Sequence, residues 1–169
     1  MTYAFSVLAN GGVMIGEPVP PNRQRPGYRQ LDPVVLLRVE DRDGNVLKEY
    51  SKPSTQEVVS PQLAYLMNDI LSDNASRIPG FGVNNKLRLE DRPAATKTGT
   101  TNDWRDAWAI GYTPRYAVGV WAGNSNNDPM DHVPGSLGAA PIWQQVMQKL
   151  HEGLPVEPFV RPPGLEEKV

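Results

Sequence analysis

The segment Lys97-Thr98-Gly99-Thr100 combines residue types that can do chemistry. Lys97 carries a compact positive charge on a flexible stem. Thr98 and Thr100 are two apart, so a strand would set both hydroxyls on one side. Gly99 lacks a side chain and leaves the backbone open to a ligand. A cation, two parallel hydroxyls and bare backbone suit a receptor for a substrate carboxylate, but they supply no nucleophile. A triplet such as Lys-Thr-Gly recurs by chance, so its surroundings decide its meaning. A hydroxyl-rich loop follows, with Thr101 beside the motif and Trp104 placed to line a groove. Asp103, Arg105 and Asp106 set opposite charges close together. They form either a solvated ion pair worth little or a buried pair that fixes the loop.

The other candidates are weaker. Ser72-Asp73-Asn74 spells a Ser-x-Asn pattern, yet it closes an apolar helical stretch, where such residues commonly end a helix. The only histidines, His132 and His151, are isolated. Without ligand spacing they suggest no metal centre and no serine–histidine system, and both read as surface residues. Trp108 and Trp121 fall within strand patterns and are expected in the core. Asn124, Asn126, Asn127 and Asp128 read as a polar turn. Ser72 or Thr100 acting as an independent hydrolytic nucleophile is disfavoured, because neither has a base nearby in the sequence. No cofactor is expected.

Positioning these residues requires a modest amount of regular structure. The 169 residues suit one domain or a piece of one, and the net charge of −2, without a basic stripe, argues against nucleic acid as a partner. Cysteine is absent, which removes disulfides and thiolate chemistry. No apolar run approaches the roughly 20 residues of a membrane span. Any anchor is expected outside this stretch.

Met1–Asn10 reads as a short helix, and residues 16–33, rich in proline, as an extended surface loop. Residues 34–50 form a hairpin turned at Asp43-Gly44. A helix starts at Ser60-Pro61, with Leu63, Leu66, Met67, Ile70 and Leu71 as its apolar stripe. Ile78-Pro79-Gly80 is expected to break helical structure. Residues 94–123 hold three strands, the latter two bulky on one face and small on the other. The small face invites a helix over 141–151, expected to pack through Ile142, Val146 and Leu150. Residues 153–169 read as a flexible tail.

In this order, Ala9-Asn10-Gly11-Gly12, the run from Lys97 to Trp108, Gly111-Tyr112-Thr113-Pro114, Val118-Gly119-Val120-Trp121 and Ala139-Ala140-Pro141-Ile142-Trp143 resemble the class A (bifunctional) penicillin-binding proteins. The resemblance covers roughly Tyr3 to Leu150. It implies an α+β fold: part of a penicillin-binding-protein or serine β-lactamase-like transpeptidase fold, an antiparallel sheet with flanking helices. Residues 1–152 would be the C-terminal part of the transpeptidase domain. That family cross-links peptidoglycan stem peptides on the extracytoplasmic side of the bacterial plasma membrane and binds β-lactams. Its serine nucleophile lies in a Ser-x-x-Lys motif.

Carried over by position, Lys97 would set the electrostatics around the nucleophile. Thr98 and Thr100, with Gly99, Thr101 and Trp104 beside them, would bind the substrate. The Thr100 backbone N–H would be an oxyanion donor, a role worth on the order of 3 kcal/mol elsewhere. No serine or threonine in this sequence has lysine three residues on, so the nucleophilic serine is absent. The family's Ser-x-Asn lies much further upstream than Ser72, so both motifs would precede Met1. The expectation is a chain inactive alone, with the missing N-terminal part of the domain as partner and self-association through exposed apolar surface. The alternative is a standalone, non-catalytic peptidoglycan- or protein-binding module.

Overall fold

The computed structural model describes residues 1–167; Lys168 and Val169, the end of the expected tail, lie outside the described residues. The chain opens with helix α1 (Thr2–Ala9) and strand β1 (Val13–Pro18). Strands β2 (Leu31–Asp32), β3 (Arg38–Glu40), β4 (Val46–Glu49) and β5 (Ser54–Glu57) follow, then helices α2 (Pro61–Ser72) and α3 (Asn74–Phe81). Strands β6 (Ala95–Thr100), β7 (Asp106–Tyr112) and β8 (Ala117–Gly123) come next, then the single turn α4 (Gly135–Gly138) and helix α5 (Ala140–Leu150). These make a small sheet ordered β2-β1-β5, a β3-β4 hairpin and a larger sheet ordered β6-β7-β8, with every pairing antiparallel.

The larger sheet carries the core. Strand alternation and register put Thr96, Thr98 and Thr100 on one face with Ala107, Ala109 and Gly111 and with Val118 and Val120. Helix α5 lies on that face through the buried Trp143 and Met147. Small residues permit the close approach: a Cβ at Gly111 would come within 2.5 Å of the Trp143 ring. Helix α1 covers the other face, where Phe5 meets Tyr112 with ring centroids 6.2 Å apart. The Tyr112 hydroxyl donates to Asn68 Oδ1 at 2.7 Å, and the Asn68 amide donates to Leu8 O at 3.1 Å. One hydrogen-bonded chain thus ties β7, α2 and α1 together, and burial raises the Tyr112 pKa well above its usual range.

Several expectations require correction. Residues 16–33 are not loop throughout, because the stretch begins in β1 and ends in β2, which pair at Glu17–Asp32 and Pro18–Leu31. Proline is tolerated there at the end of a short strand. Ile78-Pro79-Gly80 does not break the helix: α3 runs through Pro79, and Asp73 caps it by accepting from Ser76 N at 3.1 Å.

The apolar stripes foreseen on two helices face outward. In α2, Ala64 and Asn68 are buried, while Leu63, Leu66 and Ile70 are exposed. In α5, Trp143, Gln144 and Met147 are buried, while Ile142, Val146 and Leu150 are exposed.

Among the described residues, those after Gly153 form no helix or strand, and contacts strap them to the domain. Arg92 donates to the carbonyls of Leu154 and Pro155, Arg115 pairs with Glu157, and Gln62 donates to Pro163 O at 3.0 Å. Phe159 packs edge-on against Tyr112, 5.9 Å between centroids. His151 is buried instead of surface-lying. Its Nε2 is 2.9 Å from the Thr113 hydroxyl and its Nδ1 is 2.8 Å from Met147 O, so both ring nitrogens are satisfied.

Candidate functional site

Among the described residues, strand β6 is an edge strand, paired only with β7. Just beyond it, the Thr101 N–H donates to Asp106 O at 3.1 Å, which makes Thr101 and Asp106 a hydrogen-bonded pair. In an antiparallel ladder such pairs alternate. The backbone groups of Gly99 and Lys97 therefore turn toward β7, and those of Thr98 and Thr100 turn to the open edge. Among the described residues, nothing accepts from the N–H of Thr98 or Thr100. An unpaired N–H at a sheet edge is available to an anionic ligand atom.

Lys97 lies on the face opposite the threonine hydroxyls, is exposed, and folds along the edge to donate from Nζ to Thr98 O at 2.7 Å. The Thr98 and Thr100 hydroxyls share a face, as strand geometry requires, and the Thr100 hydroxyl accepts from Gly135 N at 3.1 Å. Gly135 must be glycine, since a Cβ there would sit 2.3 Å from Trp108 O and 2.6 Å from Gly99 O. At Gly99 a Cβ would meet the Trp108 Cβ at 3.4 Å, an ordinary contact, so cross-strand packing does not by itself require glycine there. Between α2, α3 and this edge lies a groove of about 290 Å³, walled by Ile70, Phe81, Ser76 and Arg77 opposite Lys97 and Thr98.

The loop after the motif is locked, though not by the arginine–aspartate pair that the charges suggested. Arg105 and Asp103 approach only to 3.9 Å; Asp103 is largely solvated, and Arg105 donates instead to Asn127 O. Asp106 instead accepts from the Thr101 hydroxyl at 3.0 Å and from Trp121 Nε1 at 2.6 Å, while its own N–H donates to the Thr101 hydroxyl at 2.8 Å. The Thr101 side chain is thereby consumed in holding the loop. Trp121 is exposed and Trp108 half-buried, so neither is the core residue expected; Trp121 positions Asp106.

Asp103 and Trp104 both adopt left-handed backbone, φ 59° and 57°, which turns the Trp104 ring outward. It rests on His132 with ring centroids 5.4 Å apart, and Met130 N donates to Trp104 O at 3.0 Å. The loop that follows the polar turn at Asn124–Asp128 thus meets Trp104 through Met130 and His132. Two loops that meet only in space leave no local signature of this.

Ser72-Asp73-Asn74 takes a structural role. Asp73 caps α3, and hydrogen bonds from Ser76 hold its carboxyl below the usual range. The Ser72 hydroxyl turns back to Asp69 O at 3.3 Å, and Asn74 accepts from Asn85 at 3.1 Å. Among the described residues, no cluster of three or more metal-ligating side chains occurs.

No family model matches the chain. It is 37% identical over 165 residues to Penicillin-binding protein 1A of Clostridium acetobutylicum, a match covering 98% of this chain and 18% of that protein. Penicillin-binding protein 2D of Bacillus subtilis is 30% identical over 173 residues, covering 98% of this chain and 22% of that protein. The chain thus spans about a fifth of the length of the curated relatives it matches. Among solved structures, the PonA1 protein of Mycobacterium tuberculosis in complex with penicillin V superposes with a TM-score of 0.72 at 24% identity, covering 97% of this chain and 40% of that one. Penicillin-Binding Protein 1A of Haemophilus influenzae gives 0.71 at 19% identity, covering 96% of this chain and 27% of that one. At these identities the likeness speaks for the fold: mixed helices and antiparallel sheets, arranged as part of what those structures contain.

Proposed function

Because the chain belongs to the class A penicillin-binding protein family, we propose that it is the C-terminal part of a peptidoglycan D,D-transpeptidase domain, supplying one wall of the cleft and not the attacking group. The observation that carries this reading is the free edge of β6, where the Thr98 and Thr100 N–H groups point outward beside the Lys97 ammonium. In acyl transfer the negative charge develops on the carbonyl oxygen, and a preorganised N–H aimed at it stabilises the transition state without reorganising. Thr100 N–H takes that role. The Thr98 hydroxyl and Lys97 hold the carboxylate of a stem peptide or β-lactam, with Trp104 in the loop beyond the strand. Lys97 also lowers the cost of charge changes at the nucleophile.

The nucleophile is a serine of a Ser-x-x-Lys motif contributed by polypeptide outside these residues, as are the family's Ser-x-Asn and the remaining wall. The exposed stripe of α2 supports this, because Leu63, Leu66 and Ile70 are 53, 44 and 65% accessible, the last of them lining the groove, and need a covering layer. Serine acyl transfer requires no metal or cofactor. The activity belongs on the outer side of the bacterial plasma membrane; among the described residues no helix is long and apolar enough to cross a membrane.

A fluorescent penicillin tests the reading. The chain alone should remain unlabelled, the same chain continuous with its upstream polypeptide should acquire one acyl group, and Lys97→Ala in the longer protein should suppress labelling by at least about a hundredfold. Acylation of the isolated chain would overturn the proposal. Saturable, reversible binding of muropeptides by the isolated chain, with no labelling of the longer protein, would establish a binding module instead.

A further inference from the structure

The proline-rich stretch between β1 and β2 forms an open surface pocket that plays no part in the β6 edge. Its base is the Glu17–Asp32 and Pro18–Leu31 pairing. Val19, 6% exposed, forms the floor, and two hydrogen bonds of 2.9 Å staple the arms: Val19 N to Gln30 O and Gln24 Nε2 to Val19 O. A turn from Arg25 O to Tyr28 N, with Gly27 at φ 78°, closes the tip. The pocket measures about 340 Å³, within the range of small-ligand sites.

Its lining contains three guanidinium groups and one carboxylate. Asp32 accepts from both Arg23, at 3.0 Å, and Arg29, at 2.8 Å. Sharing one carboxylate orients two arginines while neutralising only half of their charge. Arg25 lies over the Tyr28 ring, 6.0 Å from its centroid, and among the described residues it has no carboxylate partner. The nearest other acid by register, Glu17, is matched by Lys48 at 3.6 Å. The pocket therefore carries a surplus of two positive charges on forked donors, within a chain whose net charge is −2.

We propose that this pocket binds a phosphate group, with Arg25 and the free N–H groups of Arg23 and Arg29 as donors and Tyr28 as an apolar wall for whatever bears the phosphate. A carboxylate presents two oxygens and one charge, a place Asp32 already fills between Arg23 and Arg29. A phosphate presents three oxygens to separate forks and carries up to two charges, which matches the surplus. The proposal uses none of the transpeptidase groups and stands or falls apart from them.

Titrating the chain with inorganic pyrophosphate, followed by calorimetry, should give one saturable site. Arg25→Ala should weaken it by about tenfold, the loss expected for charge-assisted bonds, and Arg25→Lys by less. Arg42→Ala, at the fully solvated hairpin tip, removes the same charge and should leave affinity unchanged. Co-sedimentation with phosphatidylglycerol vesicles, against phosphatidylcholine, separates a lipid headgroup from a soluble phosphate as the source. Arg25-dependent binding in either arm supports the site. No binding in both, or equal weakening by Arg42→Ala and Arg25→Ala, overturns it.

Discussion

Hairpins β7–β8 and β3–β4 are both antiparallel pairs with apolar residues in or beside them, yet one is core and the other projects into solvent. In β7–β8, α1 covers one face and α5 the other, and Ala107, Ala109, Ile110 and Tyr112 are at most 3% exposed. Around β3–β4, Val35, Leu36, Leu37 and Leu47 are 84, 61, 67 and 67% exposed. β-prone runs mark a strand in both, but burial requires a second layer, and among the described residues only the first hairpin has one. The outward stripes of α2 and α5 teach the same lesson, and on the proposal above the absent layer is the rest of the domain.

The comparison can be broken most forcefully at Trp143, the side chain that fills the space over Gly111. Trp143→Ala should cost about 3–5 kcal/mol in urea unfolding. Trp143→Phe should cost about 1–2 kcal/mol, since it leaves a smaller void and removes an indole N–H that has no acceptor among the described residues. Next comes the latch that orders the loop at the end of β6. Asp106→Ala should lower stability by about 1–2 kcal/mol and alter Trp121 and Trp104 fluorescence together, because both Thr101 and Trp121 donate to that carboxylate.

A subtler effect concerns the strap. Hydrogen bonding from Arg115 holds Glu157 below the ordinary carboxyl value of 4.5. A depressed folded-state pKa contributes stability above that value and loses it as pH falls through the folded pKa. Proteolysis or hydrogen exchange of residues 154–163 should therefore accelerate on acidification below about 4.5, and Glu157→Gln should flatten that dependence. The smallest effect on stability belongs to the uncovered hairpin. Leu36→Lys should change unfolding by less than about 0.5 kcal/mol while reducing concentration-dependent self-association in sedimentation. A large loss of stability there would mean that the hairpin is packed after all.

Much of the architecture was legible because it rests on local rules. Ser60 caps α2, accepting from Leu63 N at 3.3 Å, and Pro61 occupies its first turn. Asp43-Gly44 turns the β3–β4 hairpin, with Gly44 at φ 82°. The small face of β7 receives a helix, as Ala109 and Gly111 implied. What misled was orientation. Helical periodicity identifies an apolar stripe without saying whether this chain covers it, so Ile142, Val146 and Leu150 read as packing residues while Trp143 and Met147 pack instead. His151 looked superficial because its partners, Thr113 and Met147, lie on a strand end and the preceding helical turn.

By itself the sequence determined the motif, its place on a strand and the lack of a Ser-x-x-Lys motif, since these depend on residue identity and on a period of two. Only the tertiary structure decided that β6 is an edge, that the N–H groups of Thr98 and Thr100 face outward, and that Met130 and His132 stand against Trp104. Which neighbour a strand lacks, and which loop meets another, is set by contacts between residues far apart in the chain, and no local pattern encodes them.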